Sequence, residues 1–97
     1  MLKLFRAKTF LKDYRKIKFT DKTYLKYVVS ITTLLKEEHL PKEALDHPLK
    51  GNYSQFREFH VSGDLLVIYY IEDETLKLVR IGSHSDQSCL INVDEEE

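Results

Sequence analysis

The chain has one cysteine, two prolines and four histidines among 97 residues. The lone Cys89 excludes an internal disulfide and any cysteine-rich zinc framework. Nothing beside it marks a thiolate nucleophile, so it reads as an incidental thiol. No apolar run approaches the roughly 20 residues of a membrane span. The opening stretch MLKLFRAKTF lacks the apolar segment of a secretory signal. A reduced, cytoplasmic protein with no membrane association is therefore expected. Hydrophobic residues make up 42% and charged residues 32%, which argues for a folded domain over disorder. The length fits one domain spanning 1–97, with a flexible acidic tail expected at about 89–97.

The net charge of −1 hides an asymmetry. Residues 1–28 carry nine Lys or Arg against two Asp, a local charge of +7. The remainder carries −8, and four of its acids are the last residues, Asp94 to Glu97. A basic segment can attract a polyanion, and it can equally be the solvated side of helices.

Leu2 and Leu4 alternate with Lys3 and predict a short strand. Thr9 is a candidate helix cap, followed by Phe10, Leu11, Tyr14 and Ile17 at helical spacing. Thr20 and Asp21 cap a second helix, whose stripe of Tyr24, Leu25, Val28, Val29, Ile31, Leu34 and Leu35 runs to about Leu35. His39 beyond it reads as a cation near the helix C-terminus. Residues 40–54 hold both prolines and read as loop, with one helical turn at Lys42–Asp46. Three strands follow: Gln55–Val61, the nearly continuous apolar run Leu65–Ile71, and Thr75–Gly82. Ser62-Gly63 and Glu72-Asp73-Glu74 are the expected turns. The fold class is α+β: two N-terminal helices packed on one face of a small antiparallel sheet. The other face should be more open.

The histidines concentrate the chemistry. His47 precedes the first meander strand, His60 ends it, and His84 follows the last. Antiparallel pairing brings the ends of the first and third strands together, with Asp64 at the turn between. Glu58 and His60 share a face, because strand side chains repeat every two residues. Three readings stand. One is an acid–base site, since imidazole titrates nearest neutrality. Another is a metal site of three imidazoles and Asp64, although the spacing matches no compact ligand motif. The third is a set of unrelated surface histidines. Arg57 and Arg80, within strands, need a carboxylate or an anion. Lys50 lies near His47. Tyr53, Phe56 and Phe59 offer aromatic surface of the kind that stacks RNA bases, or core packing, and of the two phenylalanines one is expected in the core.

The stretch DHPLKGNYSQFREFHVSGDLLVIYYIEDETLKLVRIGSHSD, Asp46 to Asp86, resembles the YafQ-type branch of the RelE/ParE toxins of bacterial type II toxin–antitoxin systems. The residues that carry the likeness are Asp46, His47, Leu49, Gly51, Tyr53, Phe56, Arg57, Glu58, His60, Asp64, Tyr69, Gly82, Ser83 and His84. The resemblance implies a microbial-RNase-like fold and a ribosome-dependent mRNA endonuclease without a metal or other cofactor. It also implies neutralisation by a cognate antitoxin of the RelB/DinJ kind. It makes His47, His60, Asp64 and His84 the catalytic set, with Glu58 at a supporting acidic position. Lys50, Arg57 and Arg80 are candidates for support or substrate binding from their charge and placement. The chain departs from the pattern at Gln87 and Ser88, where the family has Leu and Phe. Two further readings follow from that departure and from the histidines: a toxin-like binding module weakened in catalysis, and a histidine-ligated metal hydrolase.

Overall fold

The computed structural model describes residues 1–83. His84, Gln87, Ser88, Cys89 and the acidic tail lie outside the described residues. The chain forms β1 (Lys3–Arg6), α1 (Lys8–Arg15), α2 (Asp21–Leu35), a 3-10 turn at Lys42–Ala44, and β2 (His47–Pro48). A second 3-10 turn at Gly51–Tyr53, β3 (Arg57–Ser62), β4 (Leu65–Glu72) and β5 (Thr75–Ser83) complete it. The sheet order is β1-β5-β4-β3-β2, antiparallel except that β1 runs parallel to β5. The expected three-strand meander is therefore the middle of a five-stranded sheet. Part of the expected loop, His47–Pro48, is an edge strand.

The apolar run Leu65–Ile71 becomes β4, hydrogen-bonded on both sides and buried on both faces from Leu66 to Tyr69. Such burial is why its sequence shows little alternation. α2 starts where its cap requires: the Thr20 hydroxyl accepts from the Thr23 N–H. α1 starts two residues earlier than expected, with Ala7 at the cap position. Thr9 has another task. Pairing of β1 with β5 ends at Arg6 and Leu78, and past that point α1 side chains serve the edge of β5. Thr9 Oγ1 donates to the Val79 carbonyl at 2.6 Å, and Asp13 Oδ2 accepts from the Ile81 N–H at 3.1 Å. Backbone groups inside a fold need such partners.

The first turn sits one residue later than expected, and the second is one residue tighter. Ser62 still pairs with Leu65, so the first turn is Gly63-Asp64, with Gly63 at φ +57°. Glu72 pairs with Thr75, leaving Asp73 and Glu74 in left-handed backbone at φ 54° and 58°. Two left-handed residues match the twist of a two-residue hairpin.

One core lies between helices and sheet. Phe10, Tyr27, Ile31 and Leu34 pack on Phe59, Val61, Val67, Tyr69, Leu76, Leu78 and Ile81. The other face is not the open polar surface expected. It carries Leu49, Phe56, Leu66, Ile68 and Val79, all buried. Phe59 and Phe56 are thus both core, on opposite faces. The α2 stripe also divides. Ile31 and Leu34 turn inward, joined by Tyr27, which the expected stripe did not include, while Leu25 and Val29 stay 63% and 55% exposed, because the stripe is wider than one contact face. Among the described residues, no helix is long and apolar enough to cross a membrane.

Candidate active site

Strand register assembles the site. His47 is paired with Glu58, Glu58 with Ile68, and Ile68 with Arg80, a rung across four strands. Directly paired residues share a face. His60 lies two residues beyond Glu58, on the same side of β3, opposite Leu66. It is half-buried and borders a groove of about 540 Å³ that Leu25, Val29, Leu40, Pro41 and Ala44 also line. Asp64 is exposed in the adjoining turn. Lys50 is exposed at the head of the Gly51–Tyr53 turn. The catalytic role expected of His84 falls on a residue outside the described part.

His47 and Glu58 form the chemical pair. Glu58 is only 3% exposed. The half-exposed His47 ring places Nε2 3.8 Å from Glu58 Oε1. His47 Nδ1 meets the carbonyl of Leu45. A carbonyl only accepts, so Nδ1 carries the proton, and in the neutral ring Nε2 holds the lone pair. At 3.8 Å Nε2 is too far from Glu58 for a hydrogen bond. It is close enough for the carboxylate to stabilise a cation formed there.

Arg57 and Glu58 do not pair with each other, as adjacent strand residues point to opposite faces. Arg57 instead binds Asp46, through Nε to Oδ1 at 3.1 Å and Nη2 to the main-chain carbonyl at 3.4 Å. Desolvation works against the Arg57 cation, but the contacts with Tyr69 and Asp46 outweigh it and hold its pKa above the usual value. Arg80 binds Asp13 of α1 through Nε at 2.7 Å and Nη2 at 3.1 Å, with both side chains 14% exposed.

Two residues of this region were not singled out as site residues. Asp46 sits beside His47 and receives the hydroxyl of Tyr69 at 2.7 and 2.8 Å from its two carboxylate oxygens. The sequence signal is a tyrosine in an otherwise apolar strand, whose hydroxyl must find a partner once buried. Burial, and then the Asp46 carboxylate that needs its proton, hold the Tyr69 phenol well above the ordinary value. Burial and then Tyr14 push Tyr27 up to about 12. Burial and then Tyr24 raise Tyr14 as well.

These phenols make an alkaline prediction. A group with a raised folded-state pKa contributes stability in full below its unfolded pKa, and that contribution is lost as pH rises through the folded value. The unfolded value for tyrosine is about 10. Urea midpoints should thus hold steady to about pH 9.5 and fall above pH 10. Tyr69→Phe should flatten that fall. An unchanged slope in the variant would show that Tyr69 ionises alike in both states.

Among the described residues, no group of three or more His, Cys, Asp or Glu is placed to hold a metal ion.

The architecture is that of the small RelE-like α+β toxins. A family profile described as a bacterial toxin of type II toxin–antitoxin system, YafQ, matches residues 2–88, and the chain belongs to that family. It is 39% identical over 67 residues to the mRNA interferase toxin YafQ of Escherichia coli K12, covering 67% of this chain and 70% of that one. A copper-bound mutant toxin from Helicobacter pylori superposes with a TM-score of 0.78 at 40% identity, covering 89% of this chain and 98% of that one. A matching chain of the E. coli DinJ–YafQ toxin–antitoxin complex gives 0.74 at 28% identity, covering 87% and 93%.

Proposed function

We propose that this type II toxin is an endoribonuclease that cuts mRNA on the ribosome by acid–base chemistry without a metal. The observation that carries the reading is the His47 pair: Nδ1 fixed on the Leu45 carbonyl, Nε2 left to take a proton beside Glu58. In this reading His47 removes the proton from a ribose 2′-OH, and that oxygen attacks the adjacent phosphorus. The bond from phosphorus to the 5′-oxygen breaks, and His84 protonates the leaving oxygen. The products are a 2′,3′-cyclic phosphate and a 5′-OH. Glu58 stabilises the imidazolium formed at His47. His60 lies two residues along β3 from Glu58, and Asp64 lies in the turn beyond; in this reading His60 orients or stabilises the phosphate. Exposed Lys50 supplies positive charge for the non-bridging oxygens, Arg80 on its Asp13 partner supports the rung from β5, and the basic helices meet ribosomal RNA phosphates.

Neutralisation by a cognate RelB/DinJ-like antitoxin in the cytoplasm completes the proposal. The complex of E. coli YafQ with DinJ supports it. The exposed Leu25, Val28 and Val29 on α2 offer an apolar ridge for an amphipathic antitoxin segment.

The test incubates the protein with translating ribosomes and a defined mRNA, with and without EDTA, under magnesium-controlled ribosome integrity. Cutting should survive EDTA and vanish in His84→Ala. Intact mRNA despite confirmed ribosome binding would sink the nuclease reading in favour of a binding module. Cutting abolished by EDTA on intact ribosomes would favour a metal hydrolase built on His47, His60 and His84.

A further inference from the structure

We propose that Tyr69 and Asp46 are positioning residues that fix the tautomer of His47, an inference that rests on reading His47 as the base. Leu45 has a left-handed backbone, φ 52° and ψ 42°, at the end of the Lys42–Ala44 turn. That conformation is unfavourable for a side chain with a Cβ, and it persists only where neighbours hold it. Leu45 is itself 58% exposed, so its side chain does little to hold it. The next residue does. Asp46 is gripped at its carboxylate by Tyr69 and Arg57 and at its main-chain carbonyl by Arg57. Tyr69 is 1% exposed in the central strand, so the anchor belongs to the rigid core. With Asp46 fixed, the Leu45 carbonyl is held at His47 Nδ1 and accepts its hydrogen bond. The chain of cause runs from a core hydroxyl, through a carboxylate and one strained peptide, to the basic nitrogen.

Tyr69→Phe removes only the hydroxyl and keeps the ring packed against Phe59. The strained Leu45 then relaxes, and His47 samples both neutral tautomers. The direct readout is nitrogen-15 NMR of the His47 ring in the full chain, at a pH where the ring is neutral. Wild type should show one tautomer, protonated at Nδ1, and Tyr69→Phe a mixture. Misplacing a reacting group by about 1 Å can reduce turnover by about a hundredfold. On ribosomes, kcat should therefore fall about 10- to 100-fold in the variant with KM unchanged. Asp46→Asn, which keeps the shape and an acceptor, should restore most of the wild-type tautomer signature. It also keeps the test informative if Tyr69→Phe fails to fold, in which case Asp46→Ala in place of Tyr69→Phe must give the mixture. A folded Tyr69→Phe with the wild-type tautomer overturns the inference. Wild-type protein that leaves mRNA intact overturns the nuclease reading instead, and the NMR result still decides whether Tyr69 sets the tautomer.

Discussion

Replacing His47 by Gln should lower mRNA cutting by at least about a hundredfold and leave the fold intact. The expectation comes from what the substitution keeps and what it removes. The His47 side chain is 51% exposed, so little core packing depends on it. A glutamine amide can still donate to the Leu45 carbonyl. It cannot take up a proton at neutral pH. Positioned general bases contribute about 10² to 10⁴ in rate, and the loss should fall in that range. Single-turnover cleavage on ribosomes measures it, with a thermal melt as the control for folding. A folded His47→Gln protein cutting within about threefold of wild type would remove His47 from the mechanism and leave Asp64 as the candidate base.

The second large effect is on stability. Asp13→Ala should cost about 3 kcal/mol in urea unfolding. Asp13 does three things at once. It takes two hydrogen bonds from the Arg80 guanidinium and one from the Ile81 N–H. Removing it deprives a mostly buried cation of this carboxylate and takes a partner from a backbone donor beyond the end of β1. Losing one member of a buried ion pair destabilises far more than losing a surface pair, because the remaining charge stays desolvated. Asp13→Asn should lose less, since the amide oxygen can still accept. A loss below about 1 kcal/mol for the alanine variant would mean that solvent or its other contacts satisfy Arg80. Arg80 shares the rung of His47 and Glu58, so the same variant should also weaken cutting beyond what its stability explains.

How much of this could be read from the residues depends on the range of the interaction. Local rules worked where the physics is local. The Thr20 cap, the apolar run of β4 and the period-two strand of β3 were all legible, because each depends on neighbours within a few positions. They were enough for the α+β class and for helices on one sheet face. Thr9 misled for a physical reason. Its hydroxyl satisfies Val79, 70 residues away, and no local rule foresees that. The α2 stripe misled because periodicity marks apolar positions without saying how many a neighbour can cover. Hence Ile31 is buried and Leu25 is exposed.

The site was legible in composition more than in geometry. His60, Glu58 and Asp64 lie within seven residues, and strand alternation alone puts Glu58 and His60 on one face. The partnership of His47 with Glu58 was not legible, since it depends on His47–Pro48 being an edge strand instead of a loop. Arg57 was rightly expected to need an anion. Its partner, Asp46, required knowing that β3 turns Arg57 and Glu58 to opposite sides. Tyr69 was visible as part of the family pattern, but only the bond to Asp46 gives its hydroxyl a task.

The central claim is that a ribose hydroxyl is the nucleophile and protein side chains handle its proton. The most direct measurement is cleavage of ribosome-bound mRNA carrying a single 2′-deoxynucleotide 5′ to the scissile phosphate. The account predicts no cut at that bond, normal cutting of the unmodified message, and a 2′,3′-cyclic phosphate on the product of the latter. Cleavage at the deoxy-substituted bond would contradict it.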